Sequence, residues 1–383
     1  MLNLMGWQRL FALAPYGDDW KARTRIFQQH FNSSTTVKYR PTLLTAAHLL
    51  LSNIRKRQDA FLEHFRHLAA YSIMGVTYGI EVRAQDDRYL EVAERGTRCL
   101  ARAIKAGGHA VDVLPFLRYL PAWAPGAQFK RDAIEWSKDV TAMLDVPFEF
   151  VEQNLNGGVQ NTSAVGTVLR DIEQSEDQSG AKEVARDAFG TAYVGGANTA
   201  YGALTIFTLA MLKYPHVQVK GQEHIDHVVG RERLPDFSDR EALPYITAIV
   251  QEVLRWIVIS PLAVPHRLTV DDEYEGCHFR AGSLFVGNAW AILHDETRYP
   301  DPEAFMPERY LAPDGKLDEN APDPTEACFG YGRRMCPGRQ FALEEIWIAV
   351  VSLLAAFSIE KAIDEFGAII EPSGEDMTAS GAV

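Results

Sequence analysis

The sequence predicts a mainly α-helical fold with a small β region, carried by one large domain over residues 1–383. Three observations predict it. Between Pro41 and Val159 apolar side chains recur at three and four residues, as in Ala60, Phe61, Phe65, Leu68 and Tyr71, the spacing of one helical face. Residues 181–213 and Phe341–Ile359 form longer, mostly small or apolar runs with the character of buried helices. Only Ser260 to Asn288 combines turn residues with short β-favouring runs, which predicts a small sheet there.

Taken in order, residues 16–31 predict a helix opened by Asp18 and Asp19 and carrying Lys21, Arg23 and Arg25. Those cations are either a solvated face or a patch for an acidic partner. His64 with His67, and His224 with His227, stand three residues apart; two histidines without further ligands are ordinary surface or half-buried side chains. Val111–Gly126, rich in proline and aromatics, must interrupt the helices around it. Gly195 and Gly196 sit in the middle of the 181–213 helix, where each costs about 1 kcal/mol relative to alanine. Either close packing or a local widening of the helix would account for them. Ile246–Ile259 predicts an apolar helix in which Glu252 and Arg255 face inward and need partners. Asp271, Asp272, Glu273 and Glu275 are a solvated turn rather than a cation site. Pro337 is expected in the first turn of the Phe341 helix, and residues 371–383 as a disordered tail.

Lys and Arg number 38 against 51 Asp and Glu, a net charge of −13, which argues against a nucleic-acid partner. No linker or repeat divides the chain. The four cysteines, Cys99, Cys277, Cys328 and Cys336, form neither a zinc pattern nor a disulfide framework, so a reducing compartment is expected. Ile346–Ile359 is too short to span a bilayer, and the first residues lack the pattern of a signal peptide. The glycosylation patterns at Asn32 and Asn161 are therefore taken as chance.

The densest chemistry lies in Phe329-Gly-Tyr-Gly-Arg-Arg-Met-Cys-Pro-Gly338. A lone cysteine is ordinarily a small buried hydrophobe. Cys336, however, sits in a glycine-rich loop just before a helix, where the positive helix end and unpaired N–H groups favour a thiolate. The spacing F-x-x-G-x-R-x-C-x-G resembles the haem-ligand loop of the cytochrome P-450 family, the haem-thiolate monooxygenases. The resemblance covers residues 16–370 and is closest in style to fungal microsomal members.

That resemblance implies a single cytochrome P-450-like domain partly missing its β sheet. It implies a chain clipped at both ends, without the family's N-terminal anchor, hinge and first strands, and without its last hairpin. The implied cofactor is haem b (iron protoporphyrin IX), with Cys336 as axial iron ligand and Phe329 in the ligand loop. By the same resemblance Arg334, Arg267 and Trp20 hold its propionates. The family's W-x-x-x-R would place an arginine at position 24, but Thr24 stands there between Arg23 and Arg25. Gly195, Gly196, Asn198 and Thr199 match the family's oxygen-binding helix pattern [A/G]-G-x-[D/E]-T, which implies that Thr199 assists proton delivery. Asn198 replaces the acid, and an amide does not titrate near neutral pH, so a relay must use water or another side chain. Arg309 of Pro307-Glu-Arg-Tyr310 is implied to complete a structural Glu252–Arg255–Arg309 network.

The implied reaction inserts one oxygen atom from O2 into an apolar organic substrate, with electrons from NADPH through a flavoprotein reductase. The implied location is the cytoplasmic face of the endoplasmic reticulum, although this chain carries no transmembrane anchor. Val111–Gly126 would touch the membrane surface, a buried loop being the alternative. Rival readings are a non-catalytic haem-binding remnant and a peroxide-using or rearranging haem-thiolate enzyme. A cofactor-free module leaves the cysteine loop and paired glycines unexplained.

Overall fold

The computed structural model describes residues 1–104, 108–175 and 180–372. Most of the tail expected to be disordered therefore lies outside the described residues. The chain divides into two compact units: Met1–Asn198 with Gln340–Ala342, and Thr199–Arg339 with Leu343–Val383.

The first unit is helical. Its long helices are α1 (Asp18–Phe31), α2 (Arg40–Lys56), α3 (Phe61–Tyr78), α4 (Arg88–Ile104), α5 (Gln128–Asn156) and α6 (Ala164–Gln174), followed by the first half of α7 (Ala181–Lys213). On α2 the buried positions Leu43, Ala46, Ala47, Leu50 and Ile54 follow the helical period and lie against α3. Close approach fixes the other pairs. A Cβ at Gly96 of α4 would come within 2.7 Å of Met143 Sδ on α5, and one at Gly190 of α7 would collide with Leu144 of α5. Both glycines let backbones meet where any side chain would hold them apart. The two glycosylation patterns serve as local structure. Asn32 Oδ1 accepts from the N–H groups of Ser34 and Thr35, and the buried Asn161 side chain bonds Tyr78 O and Ser163 N.

The segment 111–126 contains only short helical turns, Ala110–Val113 and Pro115–Tyr119. It is not a buried loop: Phe116, Tyr119 and Trp123 are largely exposed.

The second unit continues α7 and adds α8 (Pro215–Val228), α9 (Pro244–Trp256) and α10 (Arg339–Ala356). The β region is two separate two-stranded antiparallel sheets rather than one. β1 (His266–Arg267) pairs β4 (Leu284–Phe285), and β2 (Asp272–Tyr274) pairs β3 (Cys277–Phe279). Glu275 and Gly276, both at positive φ, make the tight turn of the second hairpin.

Helix ends differ from expectation for identifiable reasons. α10 begins after Gly338, so Pro337 precedes the first turn instead of lying in it. It stops at Ala356 because two glutamines of α8 take the backbone beyond: Gln222 Nε2 donates to Leu354 O and Phe357 O, while Gln218 binds both N and O of Ile359. α9 ends at Trp256, with Ile257 extended, three residues short of the predicted end. The run Ile346–Val351 is buried all round, as expected of an interior helix.

Candidate functional site

Gly330 and Gly332 both adopt left-handed backbone angles, φ 80° and 55°, which shapes the cysteine loop. Cys336 N–H donates to Phe329 O at 2.7 Å and closes the loop into a ring. Inside it, Arg334 N–H reaches Tyr331 O at 3.1 Å and Met335 N–H reaches Gly332 O at 3.2 Å. The loop rests on Gly287, where any Cβ would strike the Tyr331 ring. Arg333 is exposed and Arg334 half-buried, and Arg267 on β1 is exposed.

Cys336 is solvent-accessible, yet protein crowds its sulfur enough for desolvation to push the thiol pKa up. The neighbouring Gly338 backbone N–H and the Arg339 charge oppose that shift. An exposed cysteine with a backbone N–H and a cation beside it is a donor set that fits a thiolate-ligated iron porphyrin. The other described cysteines differ. Cys99 is buried beside Asp139, Cys277 sits on the exposed β3, and Cys328 packs into an apolar cluster with its pKa raised by burial.

In the same unit as the loop, Arg255 grips Glu252 in a bidentate pair of 2.8 Å bonds, both side chains fully buried. Arg309 Nε reaches the same carboxylate at 3.2 Å, and Met306 N–H donates to it at 2.9 Å. Arg255 also donates to Leu293 O and Ala304 O, and Arg309 to Pro300 O. Burial works against the Arg255 charge, but the Glu252 hydrogen bond and charge outweigh it and hold the pKa above its ordinary value. The carboxylate thus ties α9 to the 300–309 segment. Sequence reasoning missed a second tie next to it. Glu308 accepts from Lys220 at 2.8 Å and from Tyr245 at 3.0 Å, and nothing in the local spacing connects those three positions.

α7 is α-helical throughout, so its glycines are not a local widening. A Cβ at Gly196 would lie 3.0 Å from Ile73, a close-packing position, whereas one at Gly195 would meet nothing within 4 Å. Gly195 and Thr199, four residues apart on one face, are exposed in a stretch where Ala192, Ala197 and Ala200 are buried; Asn198 is half-buried.

On α1, Trp20 is buried, 5.1 Å ring to ring from Tyr16. Arg23 turns to the buried Asp187 of α7, 3.2 Å away, which Arg9 also binds at 2.9 Å. Thr24 is buried and Arg25 exposed. Burial raises the Asp187 pKa against the pull of Arg9 and Arg23. This cluster was invisible in the sequence because its members come from three distant segments.

A family model described as Cytochrome P450 (here cytochrome P-450) matches residues 3–373. A cytochrome P-450 monooxygenase of Postia placenta is 42% identical over 97% of this chain and 72% of its own length. One of Armillaria gallica is 40% identical over 97% of this chain and 73% of its own. Tryptamine 4-monooxygenase of Psilocybe cyanescens is 37% identical over 97% and 73%. The cysteine loop, the mainly helical architecture and these matches lead to one conclusion: the chain belongs to the cytochrome P-450 family, whose members are haem-dependent monooxygenases.

Proposed function

We propose that this monooxygenase binds haem b through Cys336 and inserts one oxygen atom of O2 into an apolar organic substrate, drawing electrons from NADPH through a flavoprotein reductase. The observation that carries the reading is the exposed Cys336, held in a loop closed by its own N–H with the Gly338 N–H and the Arg339 charge beside it. When bound, thiolate-ligated haem supplies O2 activation by O–O cleavage.

The chain's own groups do the rest. Gly338 N–H and Arg339 work against the burial that favours the thiol, on the side of charged sulfur. Arg334, Arg267 and the Trp20 indole are donors suited to the propionates, the arginines through charge-assisted bonds. Thr199, exposed on the α7 face that Gly195 opens, passes a proton through its hydroxyl. Asn198 orients water by donating and accepting but holds no titratable proton. Glu252, Arg255 and Arg309 position the loop without touching reactants. The aromatic segment 113–123 rests on the cytoplasmic face of the endoplasmic reticulum. Among the described residues no helix is long and apolar enough to cross a membrane.

The reduced carbonyl complex of the purified protein tests the ligand. A strongly red-shifted Soret band is expected, lost in Cys336→Ser while haem is still taken up. The same band in the serine variant would end the assignment. Asn198 favours one alternative, turnover with peroxide that dispenses with a titrating relay. Product formation supported by peroxide and indifferent to reductase would select it.

A further inference from the structure

Pro307–Tyr310 forms a 3-10 turn, in which successive side chains point about 120° apart. Glu308, Arg309 and Tyr310 therefore leave the turn in three directions, and each meets a different part of the second unit. Arg309 goes to Glu252. Tyr310 is buried and packs with Ala248, Leu293, Tyr299 and Ala327, a cluster against which Cys328 and Tyr331 also lie. Glu308 goes to α8 and α9.

One oxygen, Glu308 Oε1, accepts from Lys220 Nζ at 2.8 Å and from the Tyr245 hydroxyl at 3.0 Å. The same ammonium stands 4.5 Å from the centre of the Tyr245 ring. His224, one turn along α8 from Lys220, lies 5.2 Å from that ring, centre to centre. Tyr245 is fully buried, whereas the Lys220 and Glu308 side chains are partly exposed. Burial works against the Glu308 charge, but the Lys220 bond, then the turn's own backbone and Tyr245, outweigh it and hold the pKa below its ordinary value. The carboxylate is thus an anion pinned from two helices at once.

Beyond Tyr310 the contacts run on to the cysteine loop. Ala327 O accepts from Gly330 N–H at 3.4 Å, and Phe329 O from Cys336 N–H at 2.7 Å. A turn free to rotate about its axis would drag Tyr310 across Ala327 and Cys328, and the loop with them. Two anchors pulling in different directions stop that rotation where one does not. Arg309 supplies the first and Glu308 the second.

We propose that Lys220 and Tyr245 are positioning residues for Cys336: by holding Glu308 they fix the rotation of the 307–310 turn, which seats Tyr310 against the start of the cysteine loop. The inference rests on Cys336 as the haem ligand and adds a support outside the Glu252–Arg255–Arg309 network.

The decay of the red-shifted carbonyl band in the reduced, haem-loaded protein reads how firmly the thiolate is presented. Lys220→Met should speed that decay about threefold, a small factor because the pair is partly exposed. Tyr245→Phe, which removes a buried donor, should speed it about fivefold. In Glu308→Met protein neither change should add anything, since all three residues act through one carboxylate. Ile54→Val, a loss of core packing on α2 of the first unit, should leave the rate unchanged. Wild-type rates in both Lys220→Met and Tyr245→Phe would overturn the inference. So would an equal acceleration in Ile54→Val, which makes the effect general loosening, or a further acceleration by Lys220→Met in the Glu308→Met background. A wild-type complex without the red-shifted band would overturn the Cys336 reading itself, and this inference with it.

Discussion

Glu252 shows how one residue carries a structural consequence out of proportion to its size. Its carboxylate has no solvent and accepts from two arginines and a backbone N–H. Removing Arg255 leaves a buried anion, so Arg255→Met should cost roughly 3–5 kcal/mol in urea unfolding, whereas Arg309→Met, which removes one longer bond to Glu252 and bonds to the carbonyls of Pro300, Asp301 and Ala304, the first two at the exposed edge, should cost about 1–2 kcal/mol. Comparable losses in the two variants would contradict that order. His30 makes the pH case. Burial, helped by the Lys38 charge, pushes its pKa down to about 4 from an ordinary 6.5. Above 6.5 both folded and unfolded chains hold it neutral; between 6.5 and 4 the unfolded chain binds the proton first. Stability should therefore fall as pH drops through that window and level off below it. His30→Gln should flatten this part of the urea-midpoint profile relative to wild type. The pairing of Glu252 with Arg255 was legible because three residues on a helix place them side by side. Arg9 and Asp187 lie 178 positions apart, and no local pattern joins them.

The elements show that adjacent glycines on one helix are not equivalent. Gly195 faces open space and Gly196 faces Ile73. Gly195→Ala should raise the thermal midpoint, gaining about 1 kcal/mol of helix propensity. Gly196→Ala should gain nothing or lose stability, since Ile73 must yield a few tenths of an ångström. Thermal unfolding of the two haem-free variants decides it, and equal gains would remove the distinction. The sequence showed both glycines as a cost but not which neighbour accounts for each. The run after Cys336 likewise announced a buried helix. Its last turn was set by Gln218 and Gln222, polar residues of α8 that no apolar pattern points to.

Over the whole molecule, net charge −13 coexists with an exposed apolar surface at Val113, Phe116, Tyr119 and Trp123, the last 83% exposed. Such a patch suits a lipid interface. Partition into neutral phosphatidylcholine vesicles should fall at least about fivefold in Trp123→Asp; unchanged partition would leave the segment without a membrane role. By itself the sequence determined the helical class, the loop that presents Cys336 and the inward-facing charges of α9. Each is written within a dozen or so neighbouring residues, where periodicity, glycine freedom and the cost of burying charge act locally. Only the tertiary structure decided where Arg23 spends its charge, which helix ends are cut short, and that Lys220 and Tyr245 share the Glu308 carboxylate. Those outcomes depend on which distant segments meet, and burial leaves each polar group to find its partner among them.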